Sequence, residues 1–163
     1  MFRAGIITVS DKGSQGERED LSGPAIAKML AGAAISVAKT RVIPDEIDQI
    51  SQAIVEFSDI EKLELILTTG GTGVSPRDLT PDATIKVLDK EIPGIAEAMR
   101  HASLKITPHG MISRAVAGIR GRSLIINLPG SPKAATENLA VVLPALFHAI
   151  EKIQGDPRDC AQS

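Results

Sequence analysis

Residues 63–84 read LELILTTGGTGVSPRDLTPDAT, and the order of its parts decides the fold. The aliphatic run from Leu63 to Thr68 has the length and composition of a strand. Glycines at 70, 71 and 73 follow at once, and an Arg77-Asp78 pair comes just behind them. Thr80-Pro81-Asp82 then carries a helix-start signature, with threonine as N-cap and proline at the first helical position. A strand that runs through a glycine loop into a helix is half of a βα unit.

The same alternation extends outward. Upstream, AGIITV at residues 4–9 is a short β-branched run suited to a buried strand, followed by the polar loop SDKGSQGEREDLSGP. A helix with Ala25, Ile26, Met29 and Leu30 on one side comes next. Residues 35–43 alternate like a strand. Ile47, Ile50, Ile54, Phe57 and Ile60 recur at near-helical spacing through residues 45–60. Downstream, Pro93 opens a helix to about Leu104, residues 123–128 form a strand, and Ser131-Pro132 starts a long last helix. Strands alternating with helices predict an α/β fold, with a mostly parallel sheet covered on both faces. One domain over residues 1–154 and a polar tail over 155–163 are expected.

Composition narrows the function. The 163 residues carry a net charge of −2 and only 2% aromatic side chains, with no Trp or Tyr. Nucleic-acid binding needs a positive face, and stacking needs aromatic platforms, so neither RNA nor DNA is an expected partner. The single cysteine, Cys160, cannot close an internal disulfide, and no Cys or His spacing offers a soft metal site. No stretch is long and apolar enough for a membrane span, and the N-terminus lacks a signal-peptide pattern. These features predict a cytoplasmic setting.

In open α/β sheets the ligand sits beyond the carboxyl ends of the strands. Three such ends carry unusual loops here: Ser10-Asp11, Thr68 to Asp78, and Asn127 to Ser131. The glycine loop offers exposed N–H groups as an anion nest, with the hydroxyls of Thr68, Thr69 and Thr72 as further donors. It matches neither the P-loop nor the G-x-G-x-x-G pattern, because no Lys follows and position 76 is Pro. A plain glycine-rich connection explains the letters equally well until Asp78 is considered. A carboxylate behind a phosphate nest needs a cation between them, and Mg²⁺ takes one or two carboxylates plus phosphate oxygens. Asp45, in IPDE, is the natural second carboxylate, though an N-cap role for the following helix accounts for it too. Arg77 reads as a salt-bridged side chain or a phosphate partner, and Asp82 as a helix-dipole residue. The Asn127–Ser131 turn delivers a helix N-terminus, and Ser113-Arg114 offers a hydroxyl and a guanidinium in a small, apolar segment. His101, His109 and His148 share no metal spacing and read as surface or turn residues.

Six blocks then occur in order: VSDKGSQGEREDLSGP, VIPDE, LILTTGGTGVSPRDLTPDAT, PGIAEAMRHASLKITPHGMISRAVAGIRG, LIINLPGSPKA and HAIEKIQGD. Together they resemble the molybdopterin adenylyltransferase family, the MogA and MoaB proteins and the G domains of gephyrin-like molybdenum cofactor proteins. The resemblance implies a three-layer α/β/α domain that assembles as a homotrimer. It implies Mg²⁺-dependent transfer of AMP from ATP to the terminal phosphate of molybdopterin, and possible contact with the downstream molybdate-inserting enzyme. Asp45 and Asp78 are then the functional aspartates and metal ligands. Gly70, Gly71, Thr72, Gly73, Pro129, Gly130 and Ser131 cradle nucleotide and phosphates, and Ser113 holds molybdopterin with Arg114, Ser10 and Asp11 beside it. A molybdopterin carrier without turnover, or a nucleotide-hydrolysing relative, remains a rival reading.

Overall fold

The structure is a computed structural model that describes residues 1–157, so Cys160 and most of the expected tail lie outside the described residues. One sheet holds β1 (Arg3–Val9), β2 (Ser36–Ile43), β3 (Leu65–Thr69), β4 (Lys90–Glu91), β5 (Ala117–Arg120) and β6 (Ser123–Leu128). Their spatial order is β2-β1-β3-β6-β5-β4. The first four are mutually parallel, whereas β5 runs antiparallel to β6 and β4 antiparallel to β5. The sheet is mostly parallel, as the alternation predicts.

Period-2 alternation sorts the strand residues into two cores. On one face Ile6, Leu65, Leu67 and Ile126 pack with residues of α2 (Ser22–Gly32), α5 (Pro93–Leu104) and α6 (Pro132–Ile153), among them Ile26, Met99 and Leu139. On the other, Ile7, Ile66 and Ile125 meet Ile50 and Ile54 of α3 (Ile47–Val55), Ala83 of α4 (Thr80–Ile85), and Phe57. The result is a three-layer α/β/α sandwich. Phe57 is fully buried, and burying such a side chain contributes about 1.5–3 kcal/mol. The Arg41 guanidinium lies 5.3 Å from its ring centre. Arg41 and Lys39 reach from β2 to Glu56 and Glu61.

Several expectations are corrected. The helix expected over 45–60 begins at Ile47 and gives way after Val55 to a π-helical turn, Glu56–Ile60. That wider turn, closed by Glu61 N–H to Glu56 O at 3.0 Å, rotates Ile60 outward to 73% exposure. The polar loop after β1 contains a short helix, α1 (Asp11–Ser14), and α2 already starts at Ser22. Strands β4 and β5 were not expected. Thr80 is not an N-cap: it is the first residue of α4, and its hydroxyl donates to Gly70 O at 2.8 Å. Ser131 does cap α6, its Oγ accepting from Ala134 N–H at 3.2 Å. Among the described residues no helix is long and apolar enough to cross a membrane.

Candidate active site

Strands β1, β2, β3 and β6 run in one direction, so the segments after Val9, Ile43, Thr69 and Leu128 meet at one edge of the sheet. They enclose a cavity of about 670 Å³ lined by Ser10, Asp45, Gly70, Gly71, Asp78, Gly130 and Ser131. That volume falls within the range of small-molecule sites, about 300–1,000 Å³. A second cavity, of about 230 Å³, lies against Thr72, Gly73, Ser113, Pro129 and Asn138. The glycine loop is the partition, presenting Gly70 and Gly71 to one side and Thr72 and Gly73 to the other.

The loop is fixed through its carbonyls. Gly70 O accepts from Thr80 Oγ1, Gly71 O from Thr80 N–H at 3.1 Å, and Thr72 O from Arg114 N–H at 2.8 Å. The amides of Gly71, Thr72 and Gly73 find no acceptor among the described residues. A row of unspent N–H groups on a braced backbone is an anion cradle. Gly70 has φ +101°, and a Cβ there would stand 2.3 Å from Val9 O. This glycine serves the close approach of the loop to β1.

The two aspartates sit against the same loop. A Cβ on Gly71 would lie 3.0 Å from Asp45 Oδ1, and one on Gly73 2.8 Å from Asp78 Oδ2. Asp78 Oδ2 accepts from Ser75 N–H at 2.8 Å. Asp45 is not an N-cap; Glu46 occupies that position. Instead Asp45 Oδ2 accepts from Asp11 N–H at 2.8 Å, and Asp11 Oδ1 accepts from Asp45 N–H at 3.0 Å. Burial pushes the Asp45 carboxyl above the usual carboxylate range. The Asp11 N–H opposes this, the Asp11 and Asp78 charges reinforce it, and Arg77 opposes it. The bonded Arg77 guanidinium, helped by Asp45 N–H, holds the Asp11 carboxyl below that range.

Among the described residues no cluster of three or more His, Cys, Asp or Glu side chains could hold a metal ion alone. Asp45 and Asp78 nevertheless suit Mg²⁺, which takes one or two carboxylates and completes its shell with phosphate and water. Asp45 Oδ1 has no donor among the described residues, and the mutual repulsion of the two carboxylates is what a divalent cation would relieve.

Other expected site residues are distributed differently. Ser10 lines the larger cavity but spends its Oγ accepting from Gly13 N–H at 3.0 Å, and Asp11 is engaged by Arg77 and Asp45. Ser113 lines the smaller cavity. Arg114 is turned into the glycine loop, donating from Nε to Gly73 O at 2.8 Å and from Nη2 to Asp78 O at 2.5 Å. It also pairs with Asp82 at 2.9 Å, which holds the Asp82 carboxyl below its ordinary value. The hydroxyls of Thr68 and Thr69 do not serve a ligand: Thr68 is fully buried, with its Oγ1 accepting from the Asn127 side chain, and Thr69 Oγ1 donates to Pro129 O at 2.7 Å. The three histidines are exposed.

Sequence reasoning missed Thr8, Arg18, Asp20 and Ser22, all on the wall of the larger cavity. Asp20 accepts from Thr8 Oγ1 at 2.8 Å and from Gly23 N–H at 2.9 Å, while Ser22 Oγ donates to Gly130 O at 2.6 Å. The Asp-x-x-Gly spacing ahead of the Ser22 helix was the available signal, since a carboxylate there caps a first turn.

Fold and site define a doubly wound α/β protein with its ligand crevice at the carboxyl edge of the sheet. Residues 5–148 match the family described as "Probable molybdopterin binding domain", and the chain belongs to that family. It is 43% identical over 154 residues to a molybdopterin adenylyltransferase of Helicobacter pylori, a match covering 93% of this chain and 88% of the relative. Against gephyrin of Dictyostelium discoideum it is 48% identical over 94% of its own length, but spans only 23% of that protein. A crystal structure of the molybdopterin biosynthesis enzyme MoaB from Thermus thermophilus superposes with a TM-score of 0.91 at 53% identity, covering 98% of this chain and 100% of that one. The resemblance read from the six sequence blocks is borne out, and the chain is an enzyme of the molybdopterin adenylyltransferase family.

Proposed function

We propose that this protein acts in molybdenum cofactor biosynthesis by transferring AMP from ATP to the terminal phosphate of molybdopterin. A molybdopterin phosphate oxygen forms a bond to the α-phosphorus of ATP, the bond from that phosphorus to the bridging oxygen breaks, and pyrophosphate leaves. The observation that carries the reading is the partition: unspent amides of Gly71, Thr72 and Gly73 lie between two cavities, with Asp45 and Asp78 against the same loop. Phosphoryl-type transfer asks mainly for positioning and charge stabilisation. The larger cavity takes ATP, with Gly130 and Ser131 beside its phosphates. The smaller takes molybdopterin against Ser113, whose hydroxyl is available for donation. Asp45 and Asp78 hold Mg²⁺, which neutralises phosphate charge when bound. Arg114 keeps the loop in register with Asp78. The names of the adenylyltransferase relatives support this reaction. The family resemblance also suggests a homotrimer that passes its product to a molybdate-inserting enzyme.

The test is incubation of the protein with molybdopterin, Mg²⁺ and ATP labelled at the α-phosphate, with Asp78→Asn alongside. Label is expected on the pterin with the wild type, and Asp78→Asn is expected to lose turnover by orders of magnitude without loss of fold. Pterin binding without label transfer would replace this reading with a carrier function.

A further inference from the structure

We infer that Arg77 is a positioning residue that sets the spacing of Asp45 and Asp78 by tying their two loops together through Asp11 and Glu46. The inference rests on the adenylyl-transfer reading above and deepens its metal site. Arg77 precedes Asp78 in the chain, yet its side chain lines neither cavity. Its guanidinium donates from Nε to Asp11 Oδ2 at 3.0 Å and from Nη2 to Asp11 Oδ1 and Glu46 Oε1, both at 2.9 Å. Asp11 in turn exchanges two bonds with Asp45, accepting its N–H and donating its own to the Asp45 carboxylate. Glu46 is the residue after Asp45. A closed ring therefore runs from Asp78 through Arg77 to Asp11 and Glu46, and from both to Asp45.

Stability does not account for this ring. The Arg77 side chain is 51% exposed and its partners 35% and 50%, and pairs so exposed contribute about 0–1 kcal/mol each. Geometry does account for it. Mg²⁺ demands near-octahedral ligands at about 2.0–2.1 Å, and a misplacement of about 1 Å in a reacting site costs roughly 10²-fold in rate. The planar fork matters as well as the charge, because one guanidinium grips both Asp11 oxygens and reaches Glu46. A lysine ammonium is a point charge on a flexible stem and cannot hold that arrangement. Arg77 lines neither cavity and has Nε and Nη2 committed to carboxylates, so it acts through the aspartates.

The experiment compares wild type, Arg77→Ala, Arg77→Lys, Asp11→Ala and the Arg77→Ala/Asp11→Ala double variant. Mn²⁺ binding in the presence of ATP is read by electron paramagnetic resonance, alongside the Mg²⁺ dependence of AMP transfer, the KM for molybdopterin and the melting temperature. Both Arg77 variants are expected to weaken Mn²⁺ binding about tenfold and to lower kcat by about 10²-fold. Molybdopterin KM should stay within about twofold, and melting within about 4 °C. Arg77→Ala should cost less in the Asp11→Ala background than in wild type, since only its tie to Glu46 is then left to lose. Full rescue by lysine, additivity in the double variant, or a parallel rise in molybdopterin KM would each overturn the inference. Wild type that binds Mn²⁺ with ATP but transfers no AMP would refute the reaction alone, while loss of Mn²⁺ binding in the variants would still support the positioning role. Wild type that binds no Mn²⁺ with ATP would refute both.

Discussion

Alanine at position 73 would place one methyl group where the glycine loop meets Asp78. Its Cβ would lie 2.8 Å from Asp78 Oδ2 and 3.6 Å from Asp78 Cγ. Gly73 is not among the positive-φ residues, so its backbone accepts alanine without strain. The obstructing atom is the end of a side chain, and the methyl is accommodated by swinging the carboxylate aside. That movement breaks the 2.8 Å bond from Ser75 N–H, a cost of about 0.5–1.5 kcal/mol. For a chain of this size the melting temperature then falls by roughly 1–6 °C. Turnover should fall far more, about 10²-fold for a carboxylate moved by ~1 Å. Gly70→Ala is the control, because its Cβ would meet the Val9 carbonyl at 2.3 Å with φ at +101°. Backbone strain and overlap each cost about 1–3 kcal/mol, so roughly 2–6 kcal/mol of stability is lost. AMP transfer and thermal melting, measured on both variants, separate the two effects. Wild-type turnover in Gly73→Ala, or destabilisation of Gly73→Ala as deep as that of Gly70→Ala, would refute the packing argument.

Two further substitutions probe the cavities individually. Asp45→Asn removes a charge that burial disfavours. The native carboxyl has a pKa above the ordinary value of 3.8, so the native state holds its proton more tightly and wild-type stability declines as pH rises through that window. The asparagine variant should therefore melt higher than wild type at neutral pH, lose that advantage at low pH, and lack metal-dependent turnover. A lower melting point at neutral pH would contradict the burial argument. Ser113→Ala should raise the KM for molybdopterin about 2- to 12-fold, the equivalent of one hydrogen bond, and leave the KM for ATP unchanged. Equal changes in both constants would remove Ser113 from the pterin side.

The alternation of apolar runs with Pro-started helices made the layers legible, because β1, β3 and β6 are buried on both faces and so read as continuous aliphatic stretches. The edge of the sheet was not legible. β4 is two residues long, and Gly118 of β5 is there because a Cβ would meet Lys90 O at 2.3 Å, a tertiary reason with no local signal. In the site, residue chemistry pointed to Asp45, Asp78 and the glycine loop, all of which meet at the partition. The assignment of hydroxyls was less legible. Thr68 and Thr69 follow one another in β3, and only the positions of Asn127 and Pro129 show that both are engaged within the protein. Arg114 offers a guanidinium in the sequence, but its direction depends on the fold bringing Asp82 and the Gly73 carbonyl beside it.

The outer strands bear on how copies of this chain could associate. A bare strand edge invites a neighbouring chain to add on by backbone pairing, and charged side chains or very short strands discourage it. Here one boundary strand, β4, offers two residues. The other, β2, carries Lys39 and Arg41, tethered to Glu61 and Glu56. Neither boundary suits extension into a continuous intermolecular sheet, so any assembly is steered toward side-chain packing and away from open-ended polymerisation.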